Sequence, residues 1–143
     1  MHVTDLAINR TLGMQLAPAG SGHILEMPES PLLLNHVGTI HASAQFALAE
    51  AGSGEFLLGQ LGDMKNQVFA VLRASELKFR KPAHGALHAS GSFAEGSAGS
   101  VSGELASRGR ALAAVRVEIA DSQGVVTMTG RFDWFLQRLA VAT

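Results

Sequence analysis

Thr39-Ile40-His41-Ala42-Ser43-Ala44-Gln45-Phe46-Ala47-Leu48-Ala49-Glu50-Ala51-Gly52-Ser53-Gly54-Glu55-Phe56-Leu57-Leu58 decides the fold of this chain. The stretch is rich in alanine, lacks proline, opens on a residue that suits a helix start and is followed by Gly59. That composition predicts one long helix over residues 39–58, with Thr39 near its N-terminus. Its apolar residues, from Ile40 and Ala44 through Phe46 and Leu48 to Phe56 and Leu57, go nearly all round the helix. A helix that is apolar on most sides must be covered on most sides. In a chain of 143 residues a sheet wrapped around it would do this.

The flanking sequence supplies that sheet. Upstream, Thr4 can cap a short helix over residues 5–12, with Asp5 favourable near its start and Gly13 as its stop. Two short strands, 14–16 and 24–27, flank a turn at 18–22, and Pro28 and Pro31 bound an extended loop to Asn35. Downstream, residues 68–80 read as a long strand in which Leu77 and Phe79 alternate with Glu76, Lys78 and Arg80. Residues 86–93, 110–120 and 125–135 read as three more strands, the last two joined by the turn Asp121-Ser122-Gln123-Gly124. The Gly-, Ser- and Ala-rich run 94–109 reads as a connection with one helical turn near residues 104–107. The expected architecture is α+β: one domain over residues 1–143, with a curled antiparallel sheet around a long central helix.

Composition narrows the function. The net charge is −1 with no block of like charge, which removes the electrostatic basis for nucleic-acid binding. There is no cysteine, so disulfides, thiolate metal sites and cysteine nucleophiles are excluded. The six histidines show no recognised ligand spacing, and no metal site is expected. Ser43 lacks the Gly-x-Ser-x-Gly context of a serine hydrolase, and Gly52-Ser53-Gly54 is not a phosphate loop. No segment reads as a membrane span or signal peptide, and a cytoplasmic protein is the expectation. Only 16 % of residues are charged, low enough to predict that another copy covers part of the surface.

The chemistry concentrates in residues 35–54. Helix-start N–H groups near Ile40, His41, Ala42 and Ser43 are predicted to lack partners and to suit a developing oxyanion. Glu50 is the sole acid between Glu29 and Glu55 and falls in the apolar middle of the helix, where a carboxylate needs a partner or a task. A structural acid bonded to a loop is the other reading of it. Ala42 and Glu50 are roughly 12 Å apart along the helix and about 80° apart around it. One thioester-sized group cannot touch both. Two antiparallel helices in a two-fold dimer can bring Glu50 of one chain against Ala42 of the other, giving two shared sites per dimer.

Asn35, Gly38, His41 and an acid nine residues later together resemble the motif of hotdog-fold acyl-CoA thioesterases of the phenylacetic-acid-degradation type. Phe79-Arg80-Lys81-Pro82-Ala83-His84-Gly85, Gly109-Arg110 and residues 121–124 extend the resemblance over nearly the whole chain. It implies a hotdog fold and hydrolysis of an acyl thioester of coenzyme A or acyl carrier protein, with no cofactor beyond coenzyme A as part of the substrate. It implies a homodimer or a dimer of dimers. Glu50 matches the catalytic acid, the Ala42 N–H the oxyanion donor, and Asn35 the side chain that orients carbonyl or water. His41 matches the motif histidine, which holds the loop, although a plain helix-start hydrogen bond explains it as well. Gly38, Ser43, Phe46, Phe79, Arg80, Lys81 and Arg110 fall where the substrate is expected, the three basic residues near its phosphates. Such basic residues are more often solvated faces. The chain departs from the pattern at Ala42-Ser43, where the family commonly has two glycines. That departure sustains a second expectation, a non-catalytic acyl-CoA-binding or regulatory module.

Overall fold

The structure is a computed structural model describing residues 1–140. Six strands form one antiparallel sheet: β1 (Gln15–Leu16), β2 (Leu25–Met27), β3 (Val68–Phe79), β4 (Leu87–Glu95), β5 (Arg110–Asp121) and β6 (Val126–Arg138). Their order across the sheet is β1-β2-β4-β5-β6-β3, so among the described residues β3 bonds to β6 alone and its other edge is open. The long helix α2 (Ala42–Gln60) lies along the sheet's inner face. The expected hotdog arrangement is the one observed.

Alternation explains the core. Val115, Val117 and Ile119 of β5 and Met128, Phe132 and Leu136 of β6 are fully buried, while Arg116 and Glu118 between them point to solvent. Leu48 and Leu57 of α2 are fully buried against this face. Helix and sheet approach closely at Gly52, where a Cβ would stand 3.1 Å from the Cβ of Ala89 on β4. The helix is not covered all round. Ser43 is exposed and Phe46, Ala47 and Glu50 are half-buried, which leaves one open stripe along α2.

Several expected boundaries shift. The helix expected over residues 5–12 is a 3₁₀ turn, Val3–Asp5, followed by α1 (Ala7–Thr11). Thr4 lies inside that turn rather than capping a helix, because Glu55 and Asn9 hold Val3 by its backbone. The long helix starts at Ala42, not Thr39, since Ile40 bridges to Leu34 and His41 donates its N–H to the Leu33 carbonyl at 2.7 Å. The single helical turn expected at 104–107 is a full helix, α3 (Ala98–Arg108). Ser97 and Ser100 cap it reciprocally, and Val101 and Leu105, four apart on one face, bury against the sheet.

Candidate active site

The loop before α2 is built by Asn35. Its Oδ1 accepts the N–H groups of Val37 and Thr39, each at 3.0 Å, and its Nδ2 donates to Thr39 Oγ1 at 2.7 Å. Gly38 turns the chain at φ +81°, a conformation other residues rarely adopt. The Ile40 N–H then donates to the Ala83 carbonyl at 2.8 Å, fastening the loop to the segment that follows β3. Asn35 thus commits most of its amide to the loop, with one N–H left over.

His41 is the N-cap of α2. Its ring Nδ1 accepts the Ser43 N–H at 2.9 Å, which places the ring proton on Nε2, and its carbonyl accepts from Ala44 and Gln45. The Ile40 and His41 N–H groups, expected to be open, are engaged with Ala83 and Leu33. Among the described residues this leaves Ala42 as the helix-start N–H without an acceptor. The helix dipole aims partial positive charge at that point.

Ala42 opens on a cavity of about 330 Å³ lined also by Asn35, Gln45, Phe79, Arg80 and Lys81. Arg80 is held by its Nε donating to Thr129 Oγ1 at 3.0 Å. Arg110 is elsewhere, on a different concavity with Arg73, Glu104 and Arg108. Phe46 packs against Phe132, with ring centroids 5.9 Å apart, and Ser43 is exposed beside it on the open stripe.

Glu50 faces a second cavity, about 530 Å³, which shares no lining residue with the first. Its walls are chiefly apolar, with Leu58, Val68, Leu72 and Trp134 among them. The Glu50 carboxylate has no hydrogen-bond or ion-pair partner among the described residues, and burial pushes its carboxyl up from its ordinary value. One chain therefore presents the acid and the free N–H to separate spaces.

Two buried polar pairs escaped sequence reasoning. Thr127 Oγ1 donates to Gln45 Oε1 at 2.9 Å, and Trp134 Nε1 donates to Ser53 Oγ at 2.9 Å. Their signal was present: Gln45 and Ser53 are polar residues inside an otherwise apolar helix, and such residues need buried partners. Among the described residues, no three histidine, aspartate or glutamate side chains converge to hold a metal ion. No helix there is long and apolar enough to cross a membrane.

Residues 14–136 match the family described as a domain of unknown function, DUF4442. No curated protein matches the chain. Among solved structures, PA5026 of Pseudomonas aeruginosa, described as a probable thioesterase of unknown function, superposes with a TM-score of 0.80 at 23 % identity, over 96 % of this chain and 91 % of its own. Thioesterase HI1161 of Haemophilus influenzae gives 0.74 at 15 % identity, over 97 % and 88 %. BH2602 of Bacillus halodurans, solved with CoA, gives 0.69 at 18 %, over 90 % and 74 %. These neighbours share the hotdog fold with this chain.

Proposed function

We propose, for a chain that belongs to the DUF4442 family and folds as a hotdog domain, the hydrolysis of acyl thioesters of coenzyme A or acyl carrier protein at sites shared by two copies. The observation that carries this reading is Glu50: an unpartnered, half-buried carboxylate on the wall of an apolar cavity. A group so placed is a stronger base toward water than an exposed glutamate.

The open edge of β3 supports the shared site. A second copy pairing antiparallel along this edge, about a two-fold axis near Arg73 and Ala74, sets the Val68 end of one strand beside the Phe79 end of the other. Val68 lines the Glu50 cavity and Phe79 lines the Ala42 cavity. The same operation lays the two open α2 stripes alongside each other.

In this arrangement Glu50 takes a proton from water, and the water oxygen attacks the thioester carbon. The Ala42 N–H of the other copy stabilises the oxyanion that forms. The C–S bond then breaks and the thiolate leaves, taking up the proton. His41 occupies the Ser43 N–H and so leaves the Ala42 N–H as the donor, while Asn35 holds the loop and offers its remaining N–H. Arg80 and Lys81, at the mouth of the Ala42 cavity, suit the phosphates of coenzyme A.

Release of free thiol from a panel of acyl-CoA esters tests the reading. Turnover by the wild type and its loss in Glu50→Gln are expected. Full turnover in Glu50→Gln would remove Glu50 from the role of base. A second reading, a binding module without turnover, is favoured by the single open N–H where oxyanion holes commonly offer two donors. Saturable acyl-CoA binding with no thiol release would establish it.

A further inference from the structure

We propose that residues 1–9 form a specificity wall of the Glu50 cavity, fastened by Glu55, and that the cavity so bounded selects uncharged aliphatic acyl groups of medium length. The inference rests on the thioesterase reading of that site.

The wall is fastened to Glu55 of α2 at Val3 and His2, and Asn9 braces it from within. The Val3 N–H donates to Glu55 Oε2 at 3.0 Å, and the Val3 carbonyl accepts from Asn9 Nδ2 at 2.9 Å. The other oxygen of Glu55 is bonded by the His2 ring Nδ1. Glu55 is only 14 % exposed and Asn9 is buried, so both grips are sheltered from water. Glu55 follows Glu50 by five residues on one rigid helix, and the wall's position is therefore set relative to the base. Among the described residues no strand pairing holds this segment.

Val3 packs over Gly54 of α2. A Cβ there would stand 3.5 Å from the Trp134 ring and 3.7 Å from Val3 Cγ1, so Val3 and the indole close over the same turn of α2. Val3 and Leu6 line the cavity together with Leu58, Leu72 and Trp134. Lys65, the other charged residue of the lining, belongs to the turn joining α2 to β3. An acyl terminus lies away from the thioester that Glu50 serves and would enter the apolar part of this lining, where a charge is costly.

Size sets the class. At about 530 Å³ the cavity falls within the range of small-molecule sites. A methylene occupies about the volume of a liquid water molecule, ~30 Å³, which caps the cavity at about eighteen methylenes. The thioester group takes part of that space and a flexible chain does not fill the rest, which shortens the fit to a medium chain. Each methylene buried strengthens binding about fourfold.

The test measures kcat/KM over straight-chain acyl-CoA esters from acetyl to palmitoyl, and over ω-carboxyl acyl-CoA esters, for the wild type and for Val3→Phe, Leu6→Phe and Glu55→Ala. In parallel, S-alkyl thioethers of coenzyme A, which cannot be hydrolysed, are titrated against the emission of Trp134, the single tryptophan of the chain. The wild type is expected to peak at a medium chain. Val3→Phe and Leu6→Phe should lower the decanoyl-to-butyryl ratio by at least about tenfold. Glu55→Ala, with the wall unfastened, should flatten the profile toward longer chains. Ratios unchanged within about twofold in all three variants would overturn the inference while leaving the hydrolase reading standing, as would a preference for ω-carboxyl acyl groups. If no ester releases thiol, the hydrolase reading fails and the thioethers decide alone. A length optimum that the wall variants move supports the wall, and no response of Trp134 to any thioether overturns it.

Discussion

The indole N–H of Trp134 donates to the hydroxyl of Ser53 across 2.9 Å, and that hydroxyl donates in turn to the carbonyl of Glu50 at 2.7 Å. The chain of bonds ties β6 to the turn of α2 that carries the acid. Ser53→Ala would leave the indole N–H buried without an acceptor and is expected to cost about 1–3 kcal/mol. A fall in Tm of several degrees in thermal unfolding would show it. Adding Trp134→Phe removes the orphaned donor, so the double variant should lose less than the sum of the two single losses.

Ala42 allows a clean deletion of the open N–H. It is the first residue of α2, where proline is well tolerated, and His41 before it is extended at φ −60°, ψ 140°, as a residue preceding proline prefers. Ala42→Pro is expected to keep the helical circular dichroism and to lower kcat by about 10²–10³-fold. Unchanged kcat would place the oxyanion elsewhere.

Mixing two inactive variants tests the shared site directly. In a heterodimer of Ala42→Pro and Glu50→Gln, one site receives both intact groups and the other receives neither. Refolding the two together in equal amounts should restore about a quarter of wild-type turnover, since half the dimers are mixed and each has one working site. Sites built within one chain would restore none.

The raised Glu50 carboxyl has two consequences with pH. Its base form is lost on acidification, so kcat/KM should fall on an acid limb whose midpoint lies above the ordinary carboxylate range. For stability, the folded chain holds this proton more tightly than the unfolded chain does. The stabilisation is complete below the unfolded value and is lost as pH rises through the folded value. Glu50→Gln is therefore expected to melt higher than the wild type at neutral pH, with the difference closing as the pH is lowered.

Much of this was legible in the sequence. Alternation at Val115, Val117 and Ile119 predicted the inward face of β5, and the alanine-rich run predicted the central helix, because both patterns depend on local periodicity. The start of α2 was not legible to the residue. Ile40 and His41 are held extended by Ala83 and Leu33, and such contacts leave no local mark. The clamp of Glu55 on Val3 joins residues 52 positions apart and was invisible for the same reason. α3 was underestimated because serine and glycine suppress helix propensity, while its packing through Val101 and Leu105 overrides them.

The bare edge of β3 carries a further consequence. A twelve-residue strand whose outer edge is unpaired among the described residues, with Phe69 and Val71 exposed, forms a template for misassembly in any crowded solution. A two-fold mate closes that edge symmetrically and leaves no edge of β3 to recruit a third chain. Under the proposed assembly, the dissociated chain is at once idle and prone to aggregate, and one docking event cures both. Selection for solubility and selection for turnover then act on the same strand, and neither can relax without the other.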